Sequence, residues 1–525
     1  VTDTAKARDA LAAASEAGRP PTDQASLLDT AQRDRSYHQA RGEAPAAPPG
    51  CPLHSSWSPL DEDYLADPYP IAAALRDDLG VFYAESLGYL VVTEMTEIER
   101  IFTDHETFAS VNVQDPVFDL APEAQAVLAA EDFDPVAVMS NRPEPEHGRI
   151  RVHTRAGFSN RRIKTLMPYI RQRSGELIDA MLAAGPPAEF IEAFAFPLPG
   201  ETVFRFIGFP EGDDEMLKSW CGDRKAFSWG KPTPAAQVEI AEHMLAYWRY
   251  CRDFVAAKNA DRGDDFTSEL LDAHEADPDD LSYREVESVV YGLSFAGHEA
   301  VTALICNTLQ CLLPARDVWE EVCADPTLIP NAVEEVLRFN SSQVSWRRIT
   351  TRDTTVGGYE VPAGTSIFLN FASANRQPDL WEAPDSFDIH RPNANRHISF
   401  GKGVHYCLGA RFAKTETQLV IEALAERIPG RPVPQKVIGD RLDLDLGGRR
   451  IEVLFLGRAH TGGDLVVHLP EESVLFLSEA FLHRVFPAMR SAYPSEWVAM
   501  LRRAQSLNAR INIPGHGFVD DPEVL

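Results

Sequence analysis

From Pro52 to about Gly430, apolar residues recur at three- and four-residue steps, the signature of helices that bury one face. The longest such runs predict helices over 161–182, 235–257 and 283–313. Period-two stretches at 88–93, 354–361 and 366–370 predict short strands, and VGGYEVPAG predicts a tight hairpin between two of them. This part of the chain therefore reads as mainly α, a helical domain with small β-sheets at one edge. Near residues 432–440 the texture changes. RLDLDLGGRRIEVLFLG alternates apolar and polar positions around a GG turn, a two-strand signal that DLVVHLPEESVLFLS repeats. A helix over 495–507 and a final INIPGHG complete an αβ pattern. The division expected is an arm over 1–50, a helical domain over 51–434 and an αβ module over 435–525. The arm is rich in Ala, Pro and Asp and reads as flexible apart from a short helix near 4–17.

Composition narrows the function classes. A formal net charge of -29 over 525 residues argues against binding a nucleic-acid backbone, which needs Lys and Arg to displace counterions. The seven cysteines are scattered and form no C-x-x-C pair, so neither a disulfide framework nor a cysteine zinc site is expected, and a cytoplasmic setting is. The first twenty residues lack the apolar core of a signal peptide, and no continuous run of 18 apolar residues suggests a membrane span.

The strongest chemical signal is Phe400-Gly401-Lys402-Gly403-Val404-His405-Tyr406-Cys407-Leu408-Gly409, followed at once by a helical pattern over 410–427. Cys407 thus stands at a helix N-terminus, where amide N–H groups and the helix dipole favour thiolate over thiol. Gly401 and Gly403 permit the turn that aims those amides at sulfur. A thiolate in this setting is an iron ligand that pushes electron density towards bound dioxygen. Phe400 would shield it from water, and His405 would reach a haem propionate.

This loop resembles that of the cytochrome P450 family, and the resemblance extends over about residues 60–429. Glu335-x-x-Arg338 together with Arg391 in FDIHRP resembles the family's Glu–Arg–Arg cluster, which implies a bidentate ion network beneath the thiolate loop. Haem b is the cofactor implied, with Cys407 on its iron. His147 and Arg151 in PEHGRIR, Arg348 in RRITTRD, His397 in HISFG, and His405 are the implied propionate partners, with Gly409 closing the loop. Arg347 is the alternative to Arg348, one register away. Residues 283–313 resemble the long helix that crosses the distal face of the haem. Its centre reads Phe295-Ala296-Gly297-His298-Glu299-Ala300-Val301-Thr302. Gly297 and Ala296 leave room for dioxygen, and Glu299 matches the family's acid. The next position is normally Thr; here it is Ala300, and Thr302 lies about 200° further round the helix. The implied catalytic set is Glu299, Ala300 and Gly297, and the implied substrate pocket is Leu293, Ala296, Val344 and Trp346. YLADPYPIAAALR, FTDHETFAS and PEAQAVLA are most similar to bacterial members related to the self-sufficient, reductase-fused type. No reductase motif accompanies them, so electrons are expected from a separate ferredoxin or flavoprotein reductase.

The C-terminal module has a resemblance of its own. Gly457–Asp464, GRAHTGGD, resembles the H-T-x-G-D signature of metallo-β-lactamase-fold hydrolases, and PGHG at 514–517 resembles their last ligand loop. The fold implied is a partial αβ metallo-β-lactamase-like domain, with zinc on His460, Glu479 and His516. The H-x-H-x-D-H half of that site is absent, and three ligands are too few for a competent dinuclear centre. The abrupt change of texture within 427–446 suggests a longer natural segment there.

The function expected is monooxygenation: one oxygen atom from dioxygen enters a small organic substrate, for which analogy to the family's relatives suggests small aromatics. Three alternatives carry their own signals. Ala300 points to a peroxide-driven peroxygenase. The C-terminal module points to a metallohydrolase with an accessory haem domain. A non-catalytic haem-thiolate sensor would not need an acid on the distal helix.

Overall fold

The computed structural model describes residues 46–117, 120–130, 133, 139–185, 188–428, 441–460, 463–481 and 493–515. The arm helix expected near 4–17 and the junction at 429–440 lie outside the described residues. The chain divides into two compact units at residues 431 and 432.

Helices dominate the first unit, and their ends follow from local chemistry. The run read at 161–182 is Asn160–Ala184. The Ser159 hydroxyl accepts from the amide of Arg162 at its start, and Gly185 ends it at φ +80°. The run read at 235–257 is Pro234–Ala260, capped by Thr233 with Pro234 in its first turn. Residues 410–427 form the helix Ala410–Arg427.

The expected long helix over 283–313 is two, Tyr283–Ala296 and Glu299–Leu312. They break at Gly297-His298, where a glycine weakens the helix. Gly297 is needed there for a second reason. A Cβ on it would lie 2.5 Å from Cγ2 of Val203, on the crossing helix Pro197–Ile207. By length and composition Tyr283–Leu312 would suffice to cross a bilayer. Here its two halves pack into separate cores instead, Val286, Val290 and Tyr291 in one, Val301, Leu304 and Ile305 in the other.

A six-stranded sheet lies at the edge of these helices. Its order is β1 (Leu53–His54), β2 (Val81–Ala84), β3 (Tyr89–Val92), β8 (Ser366–Asn370), β5 (Ser345–Thr350) and β4 (Phe108–Ala109). The hairpin of β6 (Thr354–Val356) and β7 (Tyr359–Val361) turns through Gly357 and Gly358, both at positive φ, as a two-residue turn requires. β5 matters most for the site, because successive residues of a strand point to opposite faces.

The second unit is β-rich. Its five strands run β13 (Ile511–Ile513), β12 (Val474–Phe476), β11 (Val466–Leu469), β10 (Arg450–Leu454) and β9 (Arg441–Asp445). All pairs are antiparallel except β12–β13. The helix Pro494–Gln505 contributes Met500 and Ala504 to a small core with Leu454, Val466 and Leu475.

Candidate functional site

The loop before Ala410–Arg427 is built by its glycines. Gly401 and Gly403 have φ of +68° and +72°. A Cβ on Gly403 would stand 2.5 Å from the carbonyl oxygen of Phe102, so backbone fills the space a side chain would need. The Cys407 amide donates to Phe400 O at 3.0 Å, closing the turn. The Cys407 side chain has accessible surface, yet protein surrounds it. Both hold because that surface faces an internal cavity of about 400 Å³.

The expected lowering of the thiol pKa is reversed in the protein alone. Burial pushes the Cys407 thiol up by more than the amides of Gly409 and Ala410 and the charge of Arg151 bring it down. A bound cation would shift that balance, because a coordinating thiol is deprotonated outright.

The cavity gathers most of the residues singled out in the sequence. Phe400, Gly401, His405, Cys407 and Gly409 form one wall. Leu293, Ala296, Gly297, Glu299 and Ala300 face it from the broken helix, and Trp346, Arg348 and Arg151 line its rim. Strand alternation settles the register question in β5. Trp346 and Arg348 share the cavity face, while Arg347 points away, donates to the carbonyls of Val113 and Asp115, and stacks 4.0 Å over Trp229.

The polar rim has an unmet need. Arg348 is 1% exposed, and its described hydrogen bond goes to a carbonyl, that of Arg347, with no carboxylate. Burial alone lowers its pKa to about 9. The rings of His405 and His147 lie 3.9 Å apart, and burial drives His405 down to about 2. His147 Nδ1 bonds Glu144 at 2.7 Å, while its Nε2 is buried without a partner. A cavity with a thiol on one wall and a buried guanidinium without a carboxylate on its rim, backed by an imidazole nitrogen without a partner behind His405, suits an anionic occupant. A haem, with its iron for the thiol and two propionates for the rim, fits this donor set.

Three expectations need correction. His147 stands behind His405 rather than on the cavity wall. His397 does not line the cavity: its Nε2 meets Glu334 at 3.1 Å and its Nδ1 accepts from the Ser399 amide, so both nitrogens are taken. Val344 lines a neighbouring outer cleft instead.

Beneath the loop, Glu335, Arg338 and Arg391 meet. Arg338 Nε and Nη2 each donate to the Glu335 carboxylate at 2.7 Å, and Arg391 Nε reaches both of its oxygens at 3.0 and 3.1 Å. The Asp388 amide adds a further bond at 3.0 Å. Glu335 and Arg338 are fully buried. Arg338 also holds the carbonyls of Asn375, Pro384 and Ser386. Asn375 carries the connection onward. It donates to Ser399 Oγ at 2.9 Å and accepts from the Ile398 amide at 2.8 Å, just ahead of the cysteine loop. The sequence carries no sign of this Asn–Ser relay, because the two residues meet only through the fold.

On the distal side, the Thr302 hydroxyl bonds back to the carbonyl of His298, so it does not serve the cavity. Glu416 was missed and had a readable signal: it follows Phe412 by four residues and precedes Leu419 by three, on the buried face of its helix. It lines the cavity, and one of its oxygens has no hydrogen-bond partner. Burial raises its pKa to about 8. The native state therefore holds a proton that an unfolded glutamate releases near 4.5. This stabilisation is complete at acid pH and is lost as pH rises towards 8. Glu416→Gln is expected to flatten the fall in melting temperature between pH 5 and 9; equal slopes in the two proteins would contradict a protonated Glu416.

Of the zinc candidates, His516 and the Glu479 side chain lie outside the described residues. The His460 ring packs edge-on against Trp497, and the described residues contain no cluster of three metal-ligating side chains.

The cytochrome P450 family model matches residues 231–441. The cytochrome P450 monooxygenase PikC of Streptomyces venezuelae is 31% identical over 70% of this chain and 86% of its own length. Among solved structures, cytochrome P450 CREJ in complex with (4-ethylphenyl) dihydrogen phosphate is 35% identical with a TM-score of 0.69, covering 72% of this chain and 93% of that one. An intact type IV self-sufficient cytochrome P450 monooxygenase is 32% identical with a TM-score of 0.71, over 75% of this chain and 52% of that one.

Proposed function

The chain belongs to the cytochrome P450 family, and from that premise we propose that it inserts one oxygen atom of dioxygen into a small aromatic substrate. One observation carries the reading: a single cavity has Cys407 on one wall and the Gly297 break with Glu299 on the other. Haem bound there would supply the iron that activates dioxygen. Cys407 would ligate it, Arg348, Arg151 and His405 would hold its propionates, and the Glu335 cluster would fix the loop. The cavity wall carries Trp229, Phe295 and Trp346, which suits an aromatic ring, as does the ligand held by the CREJ neighbour. Two electrons would come from a ferredoxin or flavoprotein reductase. The seven free thiols suit a reducing cytoplasm.

Ala300 favours a second reading, peroxide-driven turnover. Glu299 can bring a proton to the cavity edge, but Ala300 has no hydroxyl to pass it on, so water or a substrate group must do so. Positioned general acids are worth about 10²–10⁴-fold. Ala300→Thr is therefore expected to raise product formed per NADPH and to lower peroxide release. Turnover with hydrogen peroxide, compared with turnover on NADPH plus reductase, separates the readings. Coupling that is already near complete and falls on substitution would contradict the role given to Ala300.

A further inference from the structure

The cavity around Cys407 is not closed off from the rest of its unit. A larger cleft of about 1030 Å³ lies beside it, and the two share four wall residues: Trp229, Glu299, Ser342 and Gln343. These four stand where an inner and an outer compartment adjoin, the place for a neck between them. Trp229 is braced at this neck, with the Arg347 guanidinium 4.0 Å over its ring and Trp346 6.1 Å away. The inner compartment, at about 400 Å³, must also take the haem, so the room it leaves for substrate is a fraction of that figure.

The outer walls are apolar in effect. Leu60, Leu65, Leu87, Val344 and Phe387 line them. Several of the polar groups there already have partners. The Tyr69 hydroxyl bonds Asn340, whose amide bonds Gln310. Arg376 donates to the carbonyl of Phe339 and to Asp385 while sandwiched between the Tyr69 and Phe339 rings. An occupant would meet mainly carbon surface, with the Tyr64 hydroxyl a polar group on the wall that has no partner.

We infer that the outer cleft is a second compartment of the substrate site, and that the substrate is longer than a lone small aromatic: an aromatic reacting end with an elongated, mainly apolar remainder. Its reacting end passes the neck into the inner cavity while its remainder stays in the cleft. This deepens the monooxygenase reading and rests on it. The aromatic inner wall selects the reacting end, and the cleft selects for length.

N-alkylimidazoles test this on the haem-loaded protein, because the imidazole binds iron and shifts the Soret band while the tail reports how far apolar space extends. Affinity is expected to climb by up to about fourfold per methylene, from 1-methylimidazole to the dodecyl member. Leu65 is 64% exposed, so Leu65→Glu does not burden the fold. It should weaken the decyl and dodecyl members at least tenfold and leave 1-methylimidazole unchanged. Gln343→Trp, which narrows the neck, should halt the climb at a shorter tail. A climb that stops at butyl in the wild-type protein, or a dodecyl affinity that neither variant changes, overturns the second compartment. No spectral shift with 1-methylimidazole itself would instead overturn the haem reading, and the proposal with it.

Discussion

Glu335→Ala is expected to give a protein that does not retain haem. The substitution leaves the guanidiniums of Arg338 and Arg391 facing each other in the interior, where both are buried and their shared carboxylate is gone. Removing one partner of a buried ion pair costs about 3–5 kcal/mol. A domain has about 5–15 kcal/mol to lose. The damage would centre on the cysteine loop, because Arg338 holds the Asn375 carbonyl and Asn375 holds Ser399 and Ile398. Arg338→Ala should act in the same way. Haem-to-protein ratio and melting temperature are the measurements. Two fully loaded variants with wild-type melting would show that the cluster does not support the site.

Arg348→Met should change sign with occupancy. In the haem-free protein the Arg348 charge is buried without a carboxylate, and burial holds its pKa far below the ordinary arginine value. Replacing it with an apolar chain of similar length removes a desolvation penalty worth several kcal/mol. The haem-free variant should therefore melt higher than the haem-free wild type. The haem-loaded variant should release haem faster, having lost a propionate partner. An arginine present only for packing would lower both melting temperatures, and that outcome would contradict its assignment to the haem.

What was legible in the sequence was local. The Cys407 loop is contiguous, Glu335 and Arg338 are one helical turn apart, and the helices at 161–182 and 235–257 carried their caps beside them. The misreadings concern distance. His397 and His405 both precede the thiol, but only the fold reveals that Glu334 captures the first. Val344 shares parity with Trp346 and Arg348, yet it precedes β5, where alternation does not apply, and it lines the outer cleft. A glycine inside one long helical run marks a local weak point at Gly297. The close approach of Val203 that makes glycine necessary there was not legible, since those residues are far apart in the chain. Thiol ionisation went the other way because burial, a property of the whole fold, outweighs the two amides that local sequence supplies.

The central claim is that Cys407 is the thiolate ligand of a bound haem. The carbon monoxide adduct of the ferrous protein tests it in one spectrum. Thiolate ligation predicts a strongly red-shifted Soret band, lost in Cys407→Ser. A wild-type spectrum of the histidine-ligated kind, or a red-shifted band that survives in Cys407→Ser, would contradict it.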